Sequence, residues 1–235
     1  MCAHRVDLND CSLVRVLDAD GNPKELTVVY HLDKVPNDWA DNMINNVVLT
    51  EAKEIGDYAF SYNYGLKSVV AKRVTTIGSM AFRSCRALKD VEAESVRVIN
   101  EFAFQDCKSI EHMLFYSAER IDRYAFDSCT NLQSIFMIHA TSIGEGAFRE
   151  CTKLKDIRIP NVEYINNDAF NGCISLEYID LPNVKRIDKR AFWGCDNLKE
   201  INVRVGHKDE FMQMEGFREH FGAKNATVRF SFKGK

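Results

Sequence analysis

The stretch Ile165–Pro182 reads I-N-N-D-A-F-N-G-C-I-S-L-E-Y-I-D-L-P and holds the whole pattern that decides the fold. Within it, Leu176–Leu181 has apolar residues at the positions that a half-buried β-strand would bury. Pro182 ends that strand, because proline cannot donate a ladder hydrogen bond. We expect Asp168–Phe170 to form a short helical or 3₁₀ turn, with the phenylalanine ring filling the core.

This pattern returns every 22 residues over most of the chain. Each core phenylalanine follows an alanine, and an isoleucine precedes it by five residues. The series is Phe60, Phe82, Phe104, Phe126, Phe148, Phe170 and Phe192. A fixed period of roughly 20–29 residues is typical of a solenoid in which each repeat is one coil. Stacked coils place equivalent strands side by side, so we predict about eight parallel strands, from Ile44–Leu49 to Leu198–Val203.

The two ends of the chain depart from the period, and we predict that they cap the array. Residues 1–43 are expected to form an N-terminal cap with a β-hairpin and a short helix over residues 36–43. The repeats occupy residues 44–203. Residues 204–235 are expected to form a C-terminal cap with a helix at residues 211–221 and a final strand.

Six of the eight cysteines follow the same period. They are Cys85, Cys107, Cys129, Cys151, Cys173 and Cys195. Close pairs such as C-x2-C, which a structural metal site needs, do not occur among them. Equivalent side chains of stacked coils point the same way, which favours a buried ladder of free thiols over disulfides or a metal site. No metal and no cofactor are expected.

The pattern I-x-x-x-A-F-x-x-C-x-x-L-x-x-I-x-L/I-P resembles that of the BspA-like leucine-rich repeat family. The resemblance covers roughly Ile44–Val203. With the period, it implies an α/β leucine-rich-repeat solenoid of about eight 22-residue coils, capped at both ends. A parallel β-sheet is expected on one face and short helical or 3₁₀ turns on the other.

The same resemblance implies a function. Similar proteins are found on the surfaces of oral bacteria and mucosal protist parasites, where they are implicated in adhesion to host proteins and in coaggregation. The expected function is therefore non-enzymatic protein binding, in the form of adhesion or host-protein binding at the cell surface. No catalytic residues are expected.

Composition and charge limit the other functions. A net charge of −3 argues against a nucleic-acid partner. The chain has no apolar run of about 18 residues, so no membrane insertion is expected. Met1–Asp10 lacks the apolar segment of a secretory signal, which favours a cytoplasmic location, whereas the family resemblance favours the cell surface. An intracellular scaffold or adaptor for a cytosolic partner is the alternative function, and a hydrolase is a remote one.

The outward-facing strand residues predict a binding site near the middle of the array. On two neighbouring strands these residues are large and apolar, which is more informative than single exposed apolar residues. Polar and aromatic residues flank them, and an aromatic centre with a polar rim is the anatomy of a binding hot spot. The predicted partner-binding residues are Leu114, Tyr116, Phe136, Ile138, His112, Arg158 and Tyr178. The alternative is that these apolar residues are tolerated at the surface, or that a terminal segment covers them.

Two further patterns have competing interpretations. Large residues precede the early core phenylalanines by two positions, at Tyr58, Met80, Phe102 and Tyr124. Packing under a cap or ordinary partial burial is favoured for this stripe, and a dimer contact is the alternative. Asp90, His112 and Ser134 occupy one exposed position on three consecutive strands, in the order of a hydrolase triad. An open sheet face lacks an oxyanion hole and a water-excluding pocket, so catalysis there is not favoured.

Overall fold

The computed structural model describes residues 11–17, 23–37, 44–205 and 227–232, which form β-strands and turns. A strand of three or more residues alternates with a two-residue strand along most of the chain. The strands are β1 (Cys11–Leu17), β2 (Pro23–Tyr30), β3 (Lys34–Val35), β4 (Asn46–Leu49), β5 (Glu54–Ile55), β6 (Ser68–Val70), β7 (Thr76–Ile77), β8 (Asp90–Glu92), β9 (Val98–Ile99), β10 (His112–Leu114), β11 (Arg120–Ile121), β12 (Ser134–Phe136), β13 (Ser142–Ile143), β14 (Asp156–Arg158), β15 (Tyr164–Ile165), β16 (Tyr178–Leu181), β17 (Arg186–Ile187), β18 (Glu200–Val205) and β19 (Thr227–Phe232).

The predicted parallel-sheet solenoid of about eight coils is confirmed. The predicted strands correspond to β4, β6, β8, β10, β12, β14, β16 and β18. Paired strands keep the register of one repeat, so that Val47 pairs with Val69, which pairs with Val91. The ladder is nevertheless not continuous: its hydrogen-bonded sheets are β1-β2-β4-β6-β8, β10-β12-β14 and β16-β18-β19. The interruptions fall between β8 and β10 and between β14 and β16.

A second parallel sheet closes the coils on another side. It has eight two-residue strands, in the order β17-β15-β13-β11-β9-β7-β5-β3. In each of them the second residue is a buried isoleucine, or Val35 in the first. The periodic isoleucines are therefore strand residues, and a continuous sheet of short strands joins the coils in addition to the interrupted ladder of longer strands.

The prediction of helical or 3₁₀ turns, and with it the α/β class, is wrong for the described residues, which contain no helix. In each turn the residue two before the core phenylalanine has a positive φ, for example 57° at Tyr58 and 55° at Asp168. A right-handed helix requires negative φ at every residue, so it cannot continue through these positions.

The hydrogen bonds of the turns explain this conformation. The N–H of Phe60 donates to the carbonyl of Ala81 in the next coil (2.7 Å), and the N–H of Ser61 donates to Tyr58 of its own coil (2.9 Å). Alternate amides thus bond between coils and within a coil. A 3₁₀-helix would use every amide inside its own segment. The turns are therefore a third region in which the coils bond to each other.

The core is a stack of equivalent side chains. Neighbouring core phenylalanine rings are nearly parallel, with centroids 5.1 Å apart for Phe60 and Phe82 and 5.4 Å apart for Phe148 and Phe170. The six periodic cysteines are free and buried. Each thiol donates a hydrogen bond to a phenylalanine carbonyl of the preceding coil, as from Cys129 to Phe104 (3.1 Å). Burial of that apolar and thiol surface stabilises the array.

The ends of the array are described in part. β1 and β2 form an antiparallel hairpin, and β2 also pairs in parallel with β4. At the other end, β19 pairs in parallel with β18. Apart from residues 36 and 37, the predicted helices lie outside the described residues. The division into residues 1–43, 44–203 and 204–235 remains a prediction.

Candidate partner-binding site

The central sheet β10-β12-β14 carries the large apolar residues that sequence analysis singled out. Leu114 is paired with Phe136, and Phe136 is paired with Arg158 on the next strand. Tyr116 and Ile138 follow β10 and β12 by two residues. The exposed fractions are 45% for Leu114, 46% for Tyr116 and 39% for Ile138, whereas Phe136 is half-buried. We call these four residues the sheet patch.

Polar residues border the sheet patch on the same strands. The Nδ1 atom of His112 lies 2.8 Å from the hydroxyl of Ser134. The Nε atom of Arg158 donates to the carboxylate of Asp156 at 3.1 Å. Both pairs lie at the surface, and each satisfies polar groups at the rim while the apolar side chains stay accessible.

Tyr178 is the predicted site residue that the structure leaves outside the central sheet. It is exposed on β16, beyond the second interruption of the ladder. The amide of Asn202 donates to its hydroxyl at 3.4 Å, so Tyr178 is linked to β18. The other predicted residues lie on β10, β12 and β14 or directly after them.

Backbone amides mark the limits of the central sheet. At the residue before each longer strand, the N–H usually donates to the preceding coil, as from Gln133 to the carbonyl of Glu111 (2.7 Å). The amides of Glu111 and Glu177 form no such bond to the described residues. At the first interruption the equivalent buried side chain changes from Ala93 to the much larger Phe115, whose ring contacts Phe104 with centroids 5.8 Å apart. A larger buried side chain thus coincides with the separation of β8 from β10.

Comparison with known proteins identifies the repeat. A family model described as the BspA type leucine rich repeat region matches residues 53–141 and 119–213, with six copies. The chain belongs to this family. The family resemblance found in the sequence is therefore confirmed. BspA-type repeats are leucine-rich-repeat scaffolds, which typically bind proteins. No curated protein matches the chain in sequence.

Several solved structures are similar to this BspA-type protein. The crystal structure of the leucine-rich-repeat protein TpLRR of T. pallidum is 22% identical over 93% of this chain and 90% of that chain, with a TM-score of 0.56. A leucine-rich cell surface protein of Faecalibacterium prausnitzii is 18% identical over 96% and 94% of the two chains, with a TM-score of 0.36. The pneumococcal vaccine antigen PcpA is 16% identical over 92% and 71%, with a TM-score of 0.39. The first of these similarities supports the leucine-rich-repeat fold and nothing beyond it.

The triad-like residues do not assemble in this BspA-type array. His112 and Ser134 are hydrogen-bonded, but Asp90 lies on β8, beyond the first interruption. Asp90 forms no hydrogen bond to His112 in the described part of the chain, and both side chains are exposed. The geometry therefore provides one polar contact of the rim and not a charge-relay system.

Sequence reasoning missed a second aromatic surface, which lies on the turns of an early coil. Tyr62 and Tyr64 are 44% and 53% exposed, and their ring centroids are 6.4 Å apart. The guanidinium carbon of Arg83 lies 5.7 Å from the centroid of the Tyr62 ring, and that of Arg86 lies 5.8 Å from the Tyr64 ring. The tyrosine spacing is visible in the sequence, but the contacts of Arg83 and Arg86 with these rings depend on the stacking of neighbouring coils.

The stripe ahead of the core phenylalanines lies on the positive-φ residues of the turns. Phe102 and Tyr124 are half-buried and stack with centroids 5.2 Å apart. Burial and a hydrogen bond to Glu145 raise the pKa of Tyr124. The stripe ends at Gly146 because a Cβ there would lie 2.3 Å from the Tyr124 ring. Phe102 and Tyr124 thus cover each other, whereas Tyr58 at the start of the stripe is 42% exposed.

The described residues hold neither a metal cluster nor a membrane-spanning helix. No group of three or more His, Cys, Asp or Glu side chains is placed to hold a metal ion there. The same part of the chain contains no helix of the length and apolarity needed to cross a bilayer.

Proposed function

We propose that this protein is a non-enzymatic protein-binding scaffold and that the sheet patch is its binding site. BspA-type leucine-rich repeats are typically interaction scaffolds. The observation that carries the proposal is the pairing of Leu114 with Phe136, with Tyr116 and Ile138 beside them, on one exposed sheet. Contiguous exposed apolar residues with a polar rim are characteristic of interaction sites.

The fold supports this assignment of roles to core and surface. The periodic phenylalanines, isoleucines and cysteines are buried, so they hold the coils together and are not accessible to a partner. The outward strand residues vary from coil to coil. On β10 and β12 they are Leu114 and Phe136, which are paired, whereas the outward row Val29, Val48 and Val70 on β2, β4 and β6 has smaller side chains. A partner that buries Tyr116 and Leu114 fully would gain about 1 kcal/mol from each, since about half of each side chain is already covered.

The Tyr116→Ala/Phe136→Ala double variant tests the site. We expect capture of the protein's partners by immobilised protein, quantified by mass spectrometry, to fall about tenfold or more, because hot-spot residues dominate interface energy. The melting temperature should change by no more than about 2 °C per substitution, because both side chains lie on the outer face. The matched control is Tyr62→Ala/Tyr64→Ala, which removes two exposed aromatic rings elsewhere. Equal capture by wild type and by the Tyr116/Phe136 variant would contradict the proposal.

For the biological role we propose adhesion or host-protein binding, on the strength of the family resemblance. An intracellular scaffold that uses the same sheet patch is the alternative. Antibody staining of intact cells separates the two, because an adhesin is accessible without permeabilisation. Staining that appears only after permeabilisation would favour the intracellular scaffold.

A further inference from the structure

The charge around the sheet patch is unevenly distributed. On the side of β8 the exposed carboxylates are Asp90, Glu92 and Glu94. Lys72 pairs with Glu92, at 3.4 Å. Asp90 and Glu94 form no ion pair with any described residue, so two acidic charges stand uncompensated next to the apolar surface.

A further carboxylate extends this acidic border toward β10. Glu111 directly precedes β10, and its carboxylate accepts a hydrogen bond from the amide of Gln133 at 3.0 Å rather than from a cation. Lys89 occupies the equivalent position one coil earlier, and its ammonium group has no ion pair in the described part of the chain. The β8 side of the sheet patch therefore has two ammonium groups, those of Lys72 and Lys89, and four carboxylates, those of Asp90, Glu92, Glu94 and Glu111. The border on the β8 side keeps an excess of negative charge.

The border on the other side of the sheet patch is balanced by comparison. On β14 the guanidinium of Arg158 is bonded to Asp156 of its own strand. The pKa of the Glu177 carboxyl is lowered mainly by Lys199 and to a smaller extent by Lys155, which precedes β14. A partner thus meets a field that is negative toward β8 and close to neutral toward β14.

We propose that the sheet patch binds a basic–apolar segment of a protein partner, in which lysine or arginine lies beside large apolar residues. This inference rests on the proposed function, because it names the chemistry of the partner at the same site. The apolar side chains of the segment cover Leu114 and Phe136, and its cation lies against Asp90 and Glu94. Complementary charges steer association and set the orientation of the segment on the sheet.

The spacing of the strands sets the spacing of the segment. The rings of Phe104 and Phe126, in the coils of β8 and β10, have centroids 5.2 Å apart. Paired strands lie about 4.8 Å apart, and an extended chain advances about 3.3 Å per residue. A segment that crosses from β12 to β8 therefore places its cation about three residues from its apolar anchor. The acidic border also repels nucleic acid and anionic membranes, whereas an apolar patch without acidic neighbours would not repel them.

Selection from a displayed library of random peptides of about 12 residues on the immobilised full chain tests this inference. Peptides that bind wild type but not Tyr116→Ala/Phe136→Ala are synthesised with a fluorescent label, and their Kd is measured by anisotropy. We expect lysine or arginine within about four residues of paired large apolar residues. The Kd should rise at least about fivefold in Asp90→Asn/Glu94→Gln, and also between about 50 mM and about 300 mM NaCl.

The control variant Asp33→Asn/Asp196→Asn removes the same number of charges from exposed residues away from the patch, and should leave the Kd unchanged. Selected peptides that depend on Tyr116 and Phe136 but lack basic residues, or that bind Asp90→Asn/Glu94→Gln equally well, would overturn the inference and leave the proposed function standing. A library that yields no peptide dependent on Tyr116 and Phe136 would overturn both. Binding to phosphatidylserine-containing vesicles that depends on the same two residues would also overturn the basic–apolar assignment.

Discussion

At the scale of single residues, the ladder cysteines combine packing with hydrogen bonding. Each thiol donates a hydrogen bond to the carbonyl of a core phenylalanine, and that carbonyl also accepts one from a backbone N–H of its own coil. The carbonyl of Phe104, for example, accepts from the thiol of Cys129 and from the N–H of Cys107. Burial raises the pKa of every ladder thiol, to about 12 for Cys195 at the end of the series. Because the thiolate is the reactive form, these cysteines are inert in the folded protein.

The raised thiol pKa values predict that the protein loses stability at alkaline pH. In the unfolded chain a thiol ionises near pH 8.5, whereas in the folded chain it stays protonated well above that. The unfolded state then binds fewer protons, so the free energy of unfolding falls as pH rises above about 8.5. For the six ladder thiols we expect a loss of about 6 kcal/mol between about pH 8.5 and about pH 9.5. Denaturant unfolding followed by circular dichroism under reducing conditions measures it.

The Cys129→Ala variant is the control for this pH dependence. It removes one thiol, so its stability should fall with pH by about one sixth less than that of wild type. It also loses a buried hydrogen bond and some packing, which lowers its stability at neutral pH by about 1–2 kcal/mol. A wild-type stability that does not change between the two pH values would show that the thiols are not buried as described.

At the scale of the element, strands were predictable and turns were not. A strand such as Leu176–Leu181 shows its alternation in its own residues, so local sequence suffices to place it. The turn around Phe170 depends on bonds to the next coil, since its N–H donates to the carbonyl of Ala191 at 2.7 Å. The local sequence gives no sign of such a bond. It also gives no sign of the left-handed conformation, because residues with positive φ such as Asp168 and Arg190 are not glycines. The second sheet was missed for the same reason.

The candidate site was predictable to a similar degree. The period places Leu114 and Phe136 on the outer face because each alternates with buried neighbours, and the structure has them paired. The separation of Tyr178 from the central sheet depends on an interruption of the ladder, which the period does not encode. Binding by any of these residues remains a prediction.

The interruption between β8 and β10 predicts a contrast between two backbone amides. The N–H of Gln133 donates to the carbonyl of Glu111, whereas the N–H of Glu111 has no such bond to the described residues of the preceding coil. We expect the Glu111 amide to exchange its hydrogen about tenfold or more faster than the Gln133 amide, because it needs less opening to reach water. Hydrogen exchange followed residue by residue by NMR measures both rates. Equal protection would mean that β8 and β10 are joined in solution.

At the scale of the whole molecule, the coils form a one-dimensional stack. Each core ring between Phe60 and Phe192 contacts the rings before and after it, as Phe126 does with Phe104 and Phe148, with centroids 5.2 and 5.3 Å apart. The sheet of short strands and the turns bond neighbouring coils throughout the described repeats, and the longer strands bond them except at the two interruptions. In such an array stability is close to a sum over coils and their interfaces, so the position of a defect decides how far its effect spreads.

This arrangement predicts different outcomes for one substitution made at the centre and near the end. Phe126→Ala removes a ring that stacks on both sides and also contacts Phe115, so we expect a loss of about 3–5 kcal/mol that destabilises the coils on both sides. The Phe192 ring stacks on Phe170 and on no further ring among the described residues. Phe192→Ala should therefore cost less and open the last coils first. For Phe192→Ala, hydrogen exchange followed by mass spectrometry should show lost protection near Phe170 and unchanged protection near Phe82. Lost protection at both places would indicate that the array unfolds as a single cooperative unit.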